Sequence, residues 1–167
     1  TDGSFGVVDQ ATVEGWDADR ALALALAVEG DSEHSIARGI RRAAEERSLQ
    51  PPPVSGFEAI KGRGIQAQHD GRAVYVGGPR LLEMLNSTLP DTLQAFGERA
   101  GSKGQTVVYL IDETAPVAAF ALADVVRAES REAVRRLQEA GVEVAMLTGD
   151  SRDVAQAVAE DLNISTF

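Results

Sequence analysis

The sequence predicts an α/β fold in two parts: an antiparallel sheet flanked by helices, then a fragment of a doubly wound parallel unit. Three observations carry this. Alternating apolar runs meet at Asp70-Gly71 and again at Asp112 to Ala115, which marks antiparallel hairpins. Two helical stretches lie between the first strand and these hairpins. Past Leu122 the order becomes helix, continuous apolar run, helix, the alternation of parallel α/β units.

In chain order, Phe5 to Val13 reads as a strand. "DADRALALALAVEG" alternates Leu and Ala, but both are strong helix formers and Gly30 is a natural stop, so Asp17 to Glu29 reads as a helix. Ser32 is an acceptable N-cap for a second helix, with Ile36, Ile40 and Ala44 on one face. The prolines of "QPPPVSG" bar its continuation. From Val54 to Gly78 the pattern is that of strands, followed by short helices over Pro79 to Asn86 and Asp91 to Ala100. "QTVVYLIDETAPVAAFAL" supplies two more strands. "AESREAVRRLQEAG" is an amphipathic helix ending at Gly141, "VEVAML" a continuous apolar strand, and "SRDVAQAVAEDL" a further helix. The expected division is a first domain over 1–116 and part of a second over 117–167.

With 167 residues the chain is long enough for one domain plus part of another. Aromatic residues make up only 5%, so the core is built mainly from Val, Ile, Leu and Ala. The net charge of −10 opposes nucleic acid and anionic lipid, so neither is an expected partner. It opposes nucleotide phosphates too, so a bound nucleotide must be held largely by its base and by local dipoles. Cysteine is absent, which excludes disulfides, thiolate metal sites and a cysteine nucleophile. No apolar run approaches the ~20 residues needed to span a bilayer. The ends, "TDGSFGVV" and "EDLNISTF", read as those of an excised piece of a longer protein.

Three features offer chemistry. Glu29 and His34 flank the short Gly30-Asp31-Ser32 turn between two helices. A tight corner can aim both into one cleft, where an imidazole face stacks on a base and a carboxylate accepts from an exocyclic amine. The plainer reading of His34 is a capping or surface residue. Gly62-Arg63-Gly64 is the second feature. It is either a bend between strands or a place where residues without Cβ let a ligand approach the backbone. On an extended segment Lys61 and Arg63 would point the same way, putting local positive charge beside phosphates. Third, the apolar run ending in Thr148-Gly149-Asp150 puts a hydroxyl and a carboxylate where open α/β sheets place their sites. Its plainer reading is a strand-to-helix connection capped by Asp150 or Ser151. His34 and His69 have no partners nearby in sequence that would make a metal site.

In that order, Glu29, "SEH" ending at His34, "GRG" and "LADVVRAESREAVRRLQEAGVEVAMLTGD" resemble the heavy-metal P-type ATPases over nearly the whole chain. "TDGSFGVV" looks like the continuation of their aspartyl-phosphate motif, with Thr1 its last residue, and with "VAMLTGDS" lies nearest the copper-transporting branches. The resemblance implies an α+β nucleotide-binding domain followed by a fragment of a Rossmann-like, haloacid-dehalogenase-type phosphorylation domain. It implies that Glu29 and His34 contact adenine, that Gly62 and Gly64 lie beside the nucleotide, and that Thr148 and Asp150 serve the phosphorylated aspartate of the parent enzyme. It also implies ATP or ADP as ligand, Mg²⁺ in the parent, the transporter's other domains as partners, and a place at the cytosolic face of a membrane without direct membrane contact. The accepting aspartate would lie outside the chain, which is expected to bind ATP without turning it over. Two departures stand out: Ser35 where relatives usually have Pro, and Gly78 where many have Asn. The phosphorylation-domain portion also lacks neighbouring strands for "VEVAML".

Two other readings stay open. A haloacid-dehalogenase-type phosphatase needs a nucleophilic Asp-x-Asp near the start of its core, which this chain is expected to lack. A non-catalytic interaction module would bind no nucleotide.

Overall fold

The computed structural model describes residues 5–124, 126, 128–148 and 152–167. It contains two compact units, Thr1–Asp124 and Val125–Phe167. Thr1, Asp150 and Ser151 lie outside the described residues.

The first unit is built on one antiparallel sheet of six strands: β1 (Phe5–Thr12), β2 (Ser55–Ile60), β3 (Gly64–His69), β4 (Arg72–Gly77), β5 (Thr106–Asp112) and β6 (Ala115–Asp124), in the order β1-β6-β5-β4-β3-β2. Helices α1 (Ala18–Glu29) and α2 (Ser35–Glu46) cover one face, α3 (Pro79–Leu85) and α4 (Asp91–Ser102) the other. The central strands are therefore apolar on both sides. Val108 and Leu110 of β5 pack toward α1 and α2 with Leu22, Val28 and Ile40, while Tyr109 and Ile111 pack toward α3 and α4 with Leu81, Leu93 and Phe96. On β6 the small residues Ala118, Ala119 and Ala121 serve both faces around the buried Phe120.

Local chemistry places most elements where the sequence puts them. Asp70 and Gly71, with φ of 49° and 76°, form the two-residue turn joining β3 to β4. The α1 N-cap is Asp17, whose Oδ1 accepts from the Arg20 N–H at 2.9 Å. Asp17→Ala is expected to cost about 1 kcal/mol, read as an earlier midpoint of urea unfolding followed by Trp16 fluorescence. An Asp-x-Asp is therefore present after all, at Asp17 to Asp19. It is used in the helix start, with Asp17 capping α1 and Asp19 paired to Arg47 at 2.9 Å.

Three expectations change. The α2 cap is His34, not Ser32: the Ser32 N–H donates to Glu29 O at 3.0 Å and closes the preceding turn, so the helix starts later. The first unit continues past residue 116 to Asp124. The reason is that β6 pairs along its length with both neighbours, Leu122 with Thr106 and with Val7, and Asp124 with Phe5. In the second unit, which holds α5 (Ala128–Glu139) and α6 (Arg152–Asp161), "VEVAML" forms no strand. Ala145 makes a single parallel bridge to Thr166, and Leu147 is fully exposed. A strand needs ladder partners, and among the described residues only the stretch around Thr166 offers one. This unit is held by buried Ala155, Ala159 and Ile164, an Arg131–Asp161 ion pair, and a hydrogen bond from Gln138 Nε2 to Asn163 O at 2.8 Å.

Candidate functional site

A cleft of about 450 Å³ opens in the first unit where the α1–α2 corner faces the β2–β3 turn. That volume falls within the ~300–1,000 Å³ of small-molecule sites. Glu29, Ser32, His34 and Ile36 line it from the helices, Lys61, Gly62, Arg63 and Gly64 from the turn, and Val76, Gly77 and Gly78 from the end of β4. The fold thus brings together Glu29, His34, Gly62 and Gly64, which are far apart in sequence.

Glu29 is the last residue of α1 and only 7% exposed. Burial pushes its carboxyl up to about 7, against a smaller opposing pull from Arg41. Arg41 does not hydrogen-bond that carboxyl. Its Nη2 donates to Gly30 O at 2.8 Å and Ser32 O at 3.3 Å, which ties the corner together from α2.

His34 is both things that its sequence position allowed. Its Nδ1 accepts from the Ile36 N–H at 3.3 Å, capping α2, and the exposed ring forms part of the cleft wall. The cap fixes the neutral ring's proton on Nε2, leaving that atom a donor. Ser35 opens α2 directly after it, so the departure from Pro leaves the cap intact.

The two glycines of the G-x-G differ in why they are glycine. Lys61 to Arg63 is not extended but turns between β2 and β3, with the Arg63 N–H donating to Ile60 O at 2.9 Å. The expectation that Lys61 and Arg63 point alike as on a strand therefore does not hold. Both remain exposed at the rim of the cleft. Gly62 has φ 71° and nothing within 4 Å of where a Cβ would stand, so the turn is open on that side. Gly64 has φ 152°, and a Cβ there would lie 2.1 Å from Val76 O and 2.9 Å from Gly77 Cα. Its first duty is to let β3 and β4 close. Gly78 precedes α3 and gives that helix no side-chain cap.

Sequence reasoning missed Gly77, which lines the cleft, and Arg41, which ties the α1–α2 corner beside it. Gly77 was within reach: a two-residue turn at Asp70-Gly71 pairs His69 with Arg72 and so, counting outward, Gly64 with Gly77. Arg41 carried no comparable signal.

Thr148 belongs to the second unit. It is exposed there, lining an open groove with Met146, Leu147, Ala155, Ser165, Thr166 and Phe167. Its expected companion Asp150 is not among the described residues. No group of three or more His, Asp or Glu side chains suited to a metal occurs among the described residues. Nor is any described helix long and apolar enough to cross a membrane.

Comparison with known proteins places these features in context. A family model for haloacid dehalogenase-like hydrolases matches residues 1–167. A copper-exporting P-type ATPase of Mycobacterium tuberculosis is 37% identical over 98% of the chain and 21% of its own length. The copper-exporting P-type ATPase B of Archaeoglobus fulgidus is 36% identical over 100% of the chain and 24% of its own length. The chain spans about a fifth of the curated relatives it matches. Among solved structures, a zinc-transporting PIB-type ATPase superposes with a TM-score of 0.78 at 29% identity, over 98% of this chain and 26% of that one. The N-domain of HMA8, a copper-transporting P-type ATPase, gives 0.59 at 28% identity, over 71% of this chain and 99% of that one.

Proposed function

The chain belongs to the haloacid dehalogenase-like hydrolases, in their heavy-metal P-type ATPase branch, and from that premise we propose that its first unit binds ATP in the Glu29–His34 cleft. The observation that carries the reading is the convergence of a buried carboxyl group, an exposed imidazole and an open glycine turn on one cleft. Glu29 accepts from the exocyclic amine of adenine, and the His34 ring stacks on the base. Gly62 lets the nucleotide approach the turn backbone. Lys61 and Arg63 supply positive charge toward the phosphates that the acidic chain as a whole does not.

On this reading the first unit is the nucleotide-binding domain, supported by the end-to-end match of an isolated N-domain to 71% of the chain. The second is part of the phosphorylation domain, where Thr148 and Asp150 serve an aspartate outside this chain. Mg²⁺ arrives with the nucleotide's phosphates. In the whole transporter, at the cytosolic face of a membrane, ATP held here is presented to that aspartate, and phosphoryl transfer drives movement of a heavy metal such as copper. The chain alone binds ATP or ADP without turnover.

An ATP titration by calorimetry tests this on the wild type, His34→Ala and His34→Asn. Asn restores a capping acceptor but not the ring. Both variants are expected to bind ATP at least tenfold more weakly, about 1.4 kcal/mol. Full affinity in His34→Asn would reduce His34 to a helix cap, and no binding by folded wild type would remove the ATP reading.

A further inference from the structure

Glu29 is 7% exposed as a residue and lines the cleft, and its carboxyl receives no hydrogen bond from any described residue. Such a group calls for a donor or acceptor from the ligand. Its protonation state decides which. A carboxylate is two acceptors; the neutral acid is one donor and one acceptor. Adenine offers one donor and one acceptor on either edge beside its amine, N6 with N1 or N6 with N7. A carboxylate meets only the amine and sets its second oxygen against a ring nitrogen, whereas the acid meets both, as a glutamine amide does. Guanine is the opposite case: its N1–H and N2–H are two donors, which a carboxylate satisfies and the acid does not.

Resting on the adenine reading above, we propose that neutral Glu29 is the form that recognises adenine, so that ATP binding takes up a proton and base selectivity is set by the protonation of this one side chain.

The surroundings allow both states. Arg41 on α2 faces Glu29 but is occupied by the Gly30 and Ser32 carbonyls. His34, Lys61 and Arg63 share the cleft, while β4 and β5 bring only Val76, Gly77 and Val108 to it. Asp31 and Glu33, in the same corner, are outside the lining. Burial holds the Glu29 carboxyl near 7, so its neutral fraction rises from about a tenth at pH 8 to about nine-tenths at pH 6. Apparent affinity for a ligand of the neutral form rises in proportion, about tenfold.

The test is calorimetric titration with ATP and with GTP at pH 6, 7 and 8, each in two buffers of different ionisation enthalpy, on wild type and Glu29→Gln. The triphosphate's own titration is common to both nucleotides and cancels in the ratio of their affinities. In wild type the ATP-to-GTP ratio is expected to rise about tenfold or more from pH 8 to pH 6, with close to one proton taken up per ATP bound at pH 8. In Glu29→Gln the ratio stays high and flat, because the amide carries one donor group and one acceptor at every pH. A flat wild-type ratio, or the same slope in Glu29→Gln, overturns the proposal while leaving ATP binding in place. So does a folded Gln variant that no longer prefers ATP. Failure of folded wild type to bind ATP at any pH overturns the adenine reading, and this inference with it.

Discussion

Glu29→Gln should stabilise the chain at pH 8 and leave its stability unchanged at pH 4. The carboxyl is raised from 4.5 to about 7 by burial, so between those values the folded state holds a proton that the unfolded state has lost. Stability therefore falls as pH rises through this window: the contribution of the neutral group is complete below 4.5 and gone above about 7. A shift of that size corresponds to roughly 3 kcal/mol, the cost of ionising the carboxyl in place. Glutamine has nearly the same shape and no charge to desolvate. Urea unfolding of both proteins at pH 4, 6 and 8, followed by Trp16 fluorescence, should give curves that coincide at pH 4 and separate progressively. The gap at pH 8 should be on the order of 3 kcal/mol. Parallel behaviour at all three values would mean that the Glu29 carboxyl reaches water and is not buried as described. A gain in stability on replacing an ionisable group in a cleft by its neutral isostere is what a site retained for binding predicts, since the cost of the ionisable group to the unliganded fold is offset by the ligand.

The second large effect separates the two glycines of the turn. Gly64→Ala drives a Cβ into the β4 backbone, 2.1 Å from Val76 O, at a φ of 152° that alanine avoids. The obstacle is main chain and has no rotamer to yield. Gly77 faces the same crowding from the other side, where a Cβ would meet Arg63 O at 2.2 Å. Relief requires breaking the Gly64–Gly77 pair and loosening the β3–β4 ladder. A loss of about 4 kcal/mol or more is expected, enough to unfold much of the first unit at room temperature. Gly62→Ala meets open space and is opposed only by its φ of 71°, about 1 kcal/mol. Under the ATP reading it instead weakens nucleotide binding, because the new methyl stands on the open side of the turn. Urea midpoints together with ATP titrations discriminate the two. Equal stability of the two variants would show that β3 and β4 do not approach as closely at Gly64 as described.

These contrasts show what could be read from the sequence. The elements were legible because each rests on local chemistry: the Asp17 cap, the Asp70-Gly71 turn, the two-sided apolar pattern of β5 and β6. Glu29, His34, Gly62 and Gly64 were legible as candidates because motif order and resemblance singled them out. Their convergence needed the fold. The sheet order sets β3 beside β4 and lays α1 and α2 over that part of it, which brings residues 29 to 36 against 59 to 65.

Where expectation and structure part, the reason is which groups find partners in the fold. Ser32 has a capping side chain, but its N–H is taken by Glu29 and the cap passes to His34. The first unit outruns residue 116 because β1, from the far end of the sequence, pairs with the last residues of β6. "VEVAML" has strand composition but almost no ladder partner, so it stays a single bridge.

The sequence by itself determined the order of helices and strands in the first unit, an acidic charge that opposes nucleic acid, and the identity of the groups able to meet a base. Only the tertiary structure decided that Glu29 is buried enough to hold a proton near neutrality, that Gly64 serves strand closure while Gly62 stays open, and that Arg41 ties the α1–α2 corner. Composition and spacing fix what a side chain can do; desolvation and close approach depend on which distant residues surround it.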